Sequence, residues 1–156
     1  MAVEVEVPGL GRLTIAHVLM DFNGTLAVDG RLVDGVDKVL EELKGVVGLK
    51  VVTADTFGTV EKAVKGLAEL EIIAPGDERE QKLQVLRRLG AGQTMAIGNG
   101  ANDELMLREA AVGVVVMGAE GAARGAIAAA DVVVPGAVEA LELLARPARL
   151  KATLRR

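Results

Sequence analysis

Five short runs of this chain carry almost no polar side chain: VLM at 18–20, LKVV at 49–52, TMAI at 94–97, VGVVVM at 112–117 and VVV at 132–134. A strand with one wet face alternates apolar and polar residues, because successive side chains point to opposite sides. Uniform runs belong instead to strands buried on both faces, as in a parallel sheet. Strands are expected at 16–21, 48–53, 70–74, 93–97, 112–117 and 131–134, after a hairpin of 2–7 and 12–15 about Pro8-Gly9. Between them apolar residues repeat at helical spacing: Val36, Val39, Leu40 and Leu43, then Val60, Val64 and Leu67. Leu83, Leu86 and Leu89 do the same, as do Val138, Leu141 and Ala145. The alternation predicts an α/β fold, a three-layer doubly wound parallel sheet with an N-terminal β-hairpin. Pro147 is placed to break the last helix.

The 156 residues suit one domain, 1–156, with no internal repeat or linker. No stretch reaches the roughly 18–20 consecutive apolar residues of a membrane span. The opening MAVEVEVPGLGRL lacks the basic-then-apolar order of a signal peptide, so the cytoplasm is expected and no membrane partner. The chain has no cysteine, which excludes disulfides and thiolate metal sites. Trp and Tyr are absent and Phe occurs twice, too little aromatic surface for stacking bases; nucleic acid is not an expected partner. Formal charge is −4 but uneven: residues 146–156 hold five basic residues and no acid, leaving −9 on the remainder. This basic C-terminal tail reads either as a solvated helix end or as a contact for an acidic partner or another subunit.

In doubly wound sheets ligands bind beyond the carboxyl ends of the strands. Three expected strands end in polar loops: Asp21-Phe22-Asn23-Gly24-Thr25, Thr53-Ala54-Asp55, and Gly98-Asn99-Gly100-Ala101-Asn102-Asp103. Lys82, near the start of the helix expected at about 77–90, can reach the same edge. Oxygen ligands, a hydroxyl and one ammonium together suit a phosphate held with Mg²⁺.

These residues resemble the haloacid dehalogenase superfamily. VLMDFNGTL is similar to its first motif, VVTAD to the second, Lys82 to the third and IGNGANDELML to the fourth, in the right order, over about residues 16 to 135. Within the superfamily the phosphorylation domain of P-type ATPases is especially similar, through VVTAD and through AAVGVVVMG followed by GAARGAIAAADVVV. About 30 residues separate Asp21 from Thr53, and about 30 separate Thr53 from Lys82, too few for a cap domain. LAVDGRL matches the small flap of the superfamily. The resemblance implies a capless, soluble phosphatase that forms an aspartyl-phosphate on Asp21.

By the same resemblance, Mg²⁺ is held by Asp21, the Asn23 carbonyl, Asn99 and Asp103, the last directly or through water. Thr53 and Ala54 bind phosphate with Lys82. Asp55 and Asn102 support the site, although Asp55 reads equally well as a helix cap, as does the Asn102-Asp103 pair. The substrate expected is a phosphorylated small molecule or phosphoprotein, and the uncovered site suggests a homo-oligomer.

Two residues depart from the family pattern. Asn23 stands where most members have an Asp that protonates the leaving group and later activates water; that role is worth roughly 10²–10⁴ in rate. Asn99 replaces a carboxylate metal ligand. Together they imply a preference for phosphates with good leaving groups and weaker Mg²⁺ binding. They also support an alternative: a non-catalytic member that binds phosphate or a partner as a regulatory module.

Overall fold

The computed structural model describes residues 1–55 and 58–156. A hairpin of β1 (Val3–Val7) and β2 (Gly11–Ile15) opens the chain, with Val3, Val5 and Val7 turned inward and Glu4 and Glu6 outward. Next comes β3 (His17–Asp21), followed by the two short strands of the flap, β4 (Ala27–Val28) and β5 (Arg31–Leu32). The remaining strands are β6 (Gly48–Thr53), β7 (Glu69–Ile72), β8 (Thr94–Gly98), β9 (Val112–Val116) and β10 (Val132–Val134). Among the described residues the helices are α1 (Val36–Leu43), α2 (Thr59–Val64), α3 (Glu78–Leu89), α4 (Glu104–Glu109), α5 (Arg124–Ala129), α6 (Ala137–Ala145) and α7 (Pro147–Leu154).

Six strands form one parallel sheet in the order β10-β9-β8-β3-β6-β7. Alternate residues of the central strands supply two separate cores. Val18 and Met20 of β3 pack with α1, α2 and α6, whereas Leu19 packs with α3, α4 and α5. Helices on both faces explain the uniform apolar runs of β3, β8 and β9, as expected; VVV of β10 departs from the expectation, since Val133 is 53% exposed. From β3 the chain moves outward through β6 and β7, then returns to β8 on the other flank of β3. This reversal makes the carboxyl end of β3 the topological switch point.

Expected and observed strands agree within one or two residues, the largest difference being β7, which ends at Ile72. Among the described residues no cap intervenes: β3 and β6 are separated by the flap and α1, and β6 and α3 by α2 and β7. Pro147 does end α6, but it also occupies the first turn of α7, where its missing N–H leaves no hydrogen bond unmade. The basic tail is thus a helix of its own. Its Leu150 is fully buried, α7 packs on β1, and the Arg156 amide donates to the Pro8 carbonyl at 2.9 Å.

The α4–β9 packing leaves no room for a side chain at Gly113, where an added Cβ would overlap the Leu107 carbonyl. Overpacking of this kind costs about 1–3 kcal/mol. Gly113→Ala is expected to lower the denaturation midpoint accordingly. An unchanged midpoint would show that α4 can move off the sheet without penalty.

Candidate active site

The last residue of β3 is Asp21, whose carboxylate follows the parity of Leu19 and so faces the side of α3. On α3, Lys82 lies on the buried stripe with Val85 and Leu86, three and four residues on. Strand parity and helix phase therefore aim the two groups at each other. The Lys82 ammonium donates to Asp21 Oδ1 at 2.9 Å and to Asp103 Oδ1 at 2.8 Å. Lys82 is 1% exposed and Asp103 is fully buried.

Two buried carboxylates share one ammonium, which leaves an excess negative charge. Burial, and then the Asp103 charge, raise the Asp21 pKa to about 7 against the opposing pull of Lys82 and Thr25. Burial also works against the Lys82 cation, yet Asp21 and Asp103 outweigh it and its pKa rises too. The charge count works toward both rises, adding to burial at Asp21 and opposing it at Lys82: the lysine has two anionic partners, and the two carboxylates share one ammonium.

Asp103 carries a second task. Its Oδ2 accepts the backbone N–H of Asn99 at 2.9 Å and of Gly100 at 3.0 Å, holding the loop after β8 in shape. The expected capping role is thus directed backward, onto the loop rather than into α4. Asp103 lies behind Lys82, outside the lining of the cavity above Asp21.

That cavity has a volume of about 590 Å³ and is lined by Asp21, Asn23, Thr53, Ala54, Asp55, Lys82, Asn99 and Asn102. Eight of the nine residues singled out from sequence thus share one surface. The Thr53 hydroxyl accepts the Asp55 N–H at 3.1 Å, which shapes the turn leaving β6. The N-cap position of α2 is Gly58, so Asp55 is not its cap. Asn102 donates to Glu78 Oε1 at 3.1 Å, tying this loop to the start of α3.

Sequence reasoning missed three residues here. Thr25, 1% exposed, stands 3.0 Å from Asp21 Oδ2 and 3.2 Å from Asn99 Oδ1, within reach of either with its one hydroxyl proton. Its place inside the quoted first motif was the available signal. Glu78 and Glu120 also line the cavity, at its rim; Glu78 opens α3, outside the apolar stripe of that helix, and Glu120 lies on a turn with no periodic pattern to mark it.

Asn99 has its own local logic. Its Nδ2 donates to the Gly121 carbonyl at 3.1 Å, and since a carbonyl only accepts, the amide orientation is settled and Oδ1 faces Thr25. Gly24, with φ of 80°, passes so close that a Cβ there would lie 2.5 Å from Asn99 Nδ2. An aspartate at 99 would have no hydrogen to give Gly121.

The donor set suits a hard divalent cation: the Asp21 carboxylate and the Asn23 and Asn99 oxygens are all oxygen ligands, and the site carries the excess negative charge that a cation would offset. With asparagine at both 23 and 99, no group of three or more ionisable ligands converges anywhere among the described residues.

Comparison with known proteins shows the family and the fold. The sequence profile of the haloacid dehalogenase-like hydrolases matches residues 2–111, and the chain belongs to that family. An uncharacterized protein of Methanocaldococcus jannaschii is 44% identical over 84 residues, which is 51% of this chain and 90% of the relative. The fold is shared with 3-deoxy-D-manno-octulosonate 8-phosphate phosphatase of Moraxella catarrhalis, solved with magnesium, phosphate and the sugar acid. The TM-score is 0.71 at 19% identity, covering 90% of this chain and 94% of that one. The cobalt-bound enzyme of the same name from Haemophilus influenzae gives a TM-score of 0.68 at 16% identity, with 88% of each chain covered. No helix among the described residues is long and apolar enough to cross a membrane.

Proposed function

We propose that the protein is a Mg²⁺-dependent phosphohydrolase acting through an aspartyl-phosphate on Asp21. The observation that carries this is the Asp21–Lys82–Asp103 chain of ion pairs at the floor of an open cavity, at the switch point of the sheet. Asp21 attacks phosphorus, forming an Oδ–P bond as the bond to the leaving oxygen breaks. Water then attacks the same phosphorus, the Oδ–P bond breaks, and the proton leaves with phosphate or solvent. Lys82 and the Thr53 hydroxyl bind the phosphoryl oxygens, and Asp103 holds Lys82 and the loop of Asn99 in place. Asp21, the Asn23 carbonyl and Asn99 would hold the cation, which when bound would neutralise charge on the transferring group.

Asn23 cannot give or take the proton that an aspartate would, so the enzyme favours substrates whose leaving groups are weak bases. The open cavity admits either a small phosphate ester or acyl phosphate, or a phosphoprotein. A second subunit that covers it would account for the missing cap.

Two measurements test the proposal. Phosphate release from an aryl or acyl phosphate should require Mg²⁺ and fall to background in Asp21→Asn. Metal should also stabilise the fold, by about 2.7 kcal/mol at a hundredfold excess over Kd, and less so in Asp21→Asn. A rate that survives Asp21→Asn would remove the nucleophile from its role. The paired asparagines at 23 and 99 favour a second reading, a phosphate-binding module without turnover. Phosphate binding with no release from any ester or acyl phosphate would be its signature.

A further inference from the structure

The cavity that holds the phosphoryl chemistry has an acidic mouth. Beyond Asp21 and Lys82 at its floor, its charged lining residues are Asp55, Glu78 and Glu120. Lys82 is the one basic lining residue among the described residues, and it is engaged by Asp21 and Asp103 at the floor. Arg79, next in sequence to Glu78, turns away: its Nε donates to the Ala101 carbonyl at 3.0 Å and its guanidinium lies 3.9 Å from Glu104. Among the described lining residues, none at the rim therefore offers a positive charge to the part of the substrate beyond the phosphate.

The rim is also held in position. Glu78 accepts from Asn102, which fixes it against the loop after β8. Glu120 belongs to the turn after β9, and that turn is fastened by the Asn99 amide on Gly121 and by the Ala123 N–H on the Asn99 carbonyl at 2.8 Å. Asn99 is thus the residue that pins the Glu120 turn across the cavity. An aspartate at 99 would repel the Gly121 carbonyl.

We propose that Glu78 and Glu120 select the leaving group by charge, so that this site takes phosphates of neutral or cationic groups and turns away those of anionic ones. The inference rests on the phosphohydrolase reading of the same cavity and goes beyond it. It separates this chain from its structural relatives, whose named substrate is the phosphate of a sugar acid, an anion. Bringing a carboxylate-bearing leaving group to this mouth sets like charges together at short range, in a site already negative before phosphate enters. An ammonium-bearing group meets the opposite field.

The experiment uses three aryl phosphates that differ at the para position: a carboxylate, a neutral nitro group and a trimethylammonium. Each is measured in the original protein and in Glu78→Gln, Glu120→Gln and the double variant. Comparing the same ester between proteins cancels its intrinsic leaving-group reactivity. At these separations each rim charge is expected to shift kcat/KM roughly threefold per unit charge on the leaving group. The ratio of cationic to anionic ester should therefore fall about tenfold per glutamate removed, with the change in the neutral ester lying between the other two. The preference should also shrink at high salt. A ratio that stays within about twofold in the double variant overturns the proposal. Binding of the same esters to Asp21→Asn with Mg²⁺, read by calorimetry, carries the test if no protein turns over. Hydrolysis failing alone then counts against the phosphohydrolase reading, whereas charge-blind binding, or no binding of any ester, overturns the selectivity.

Discussion

Replacing Asn23 with aspartate is expected to raise kcat/KM on alkyl phosphates by roughly 10²–10⁴ and to change aryl phosphates far less. Asn23 lines the cavity two residues beyond Asp21, on the exposed outer side of the tight turn closed by the Thr25 and Ala27 amides on the Phe22 carbonyl. The amide there can hydrogen-bond to a leaving oxygen but has no proton to transfer at neutral pH. A phenolate or a carboxylate departs without one; a sugar alkoxide does not. Restoring the carboxylate supplies the acid in the first step and a base for water in the second, so hydrolysis of the aspartyl-phosphate should also quicken. The measurement is the ratio of kcat/KM for an aryl phosphate to that for a sugar phosphate, in both proteins. An unchanged ratio, or efficient hydrolysis of sugar phosphates by the original chain, would mean that another group carries the proton.

Much of the site was legible because its residues are strand-end residues. Asp21, Thr53 and Asn99 each follow an apolar run, and a parallel sheet with one switch point brings such positions together whatever the loops between them do. Lys82 carried a further signal in its helical phase, since it shares the buried stripe of α3 with Val85 and Leu86. A lysine on an apolar stripe needs an anionic partner in the core, and Asp21 and Asp103 are that partner.

What stayed hidden depends on contacts distant in sequence. Thr25 meets Asn99 across 74 positions. The Asn99 amide serves a carbonyl on the turn after β9, and no local pattern announces that bond. The same holds for Glu120, placed at the cavity only because that turn folds back over β8. The tail was ambiguous for another reason. Its basic residues are exposed, Arg146 and Arg149 pairing with Glu42 and Glu142, while the residues that dock it, buried Leu150 and half-buried Leu154, are two apolar positions among basic ones. Composition alone weighs the charges and misses the anchor.

Removing the ammonium at position 82 is expected to destabilise the fold by about 3–5 kcal/mol as well as to abolish turnover. Lys82→Met keeps length and apolar stem, so packing changes little, but Asp21 and Asp103 then face each other, buried, with no cation. Asp21 is already raised to about 7 from its ordinary value of 3.8 with the lysine present, and losing Lys82 pushes it further. For a carboxylate whose folded pKa lies above the unfolded one, the folded state binds more protons. The penalty is therefore small at low pH, grows as pH rises from about 4, and is complete above the folded pKa. The gap in denaturation midpoint between the original protein and Lys82→Met should accordingly widen from pH 5 to pH 8 in metal-free buffer. Adding Asp21→Asn to Lys82→Met removes one of the two charges and should recover part of the loss, more at pH 8 than at pH 5. That coupling separates charge from shape, because a cavity or a misfitted methionine would cost the same at both pH values and would ignore Asp21 altogether. A gap that does not change with pH would show that Lys82 acts here through packing, and that the excess negative charge assigned to the floor of the cavity does not exist.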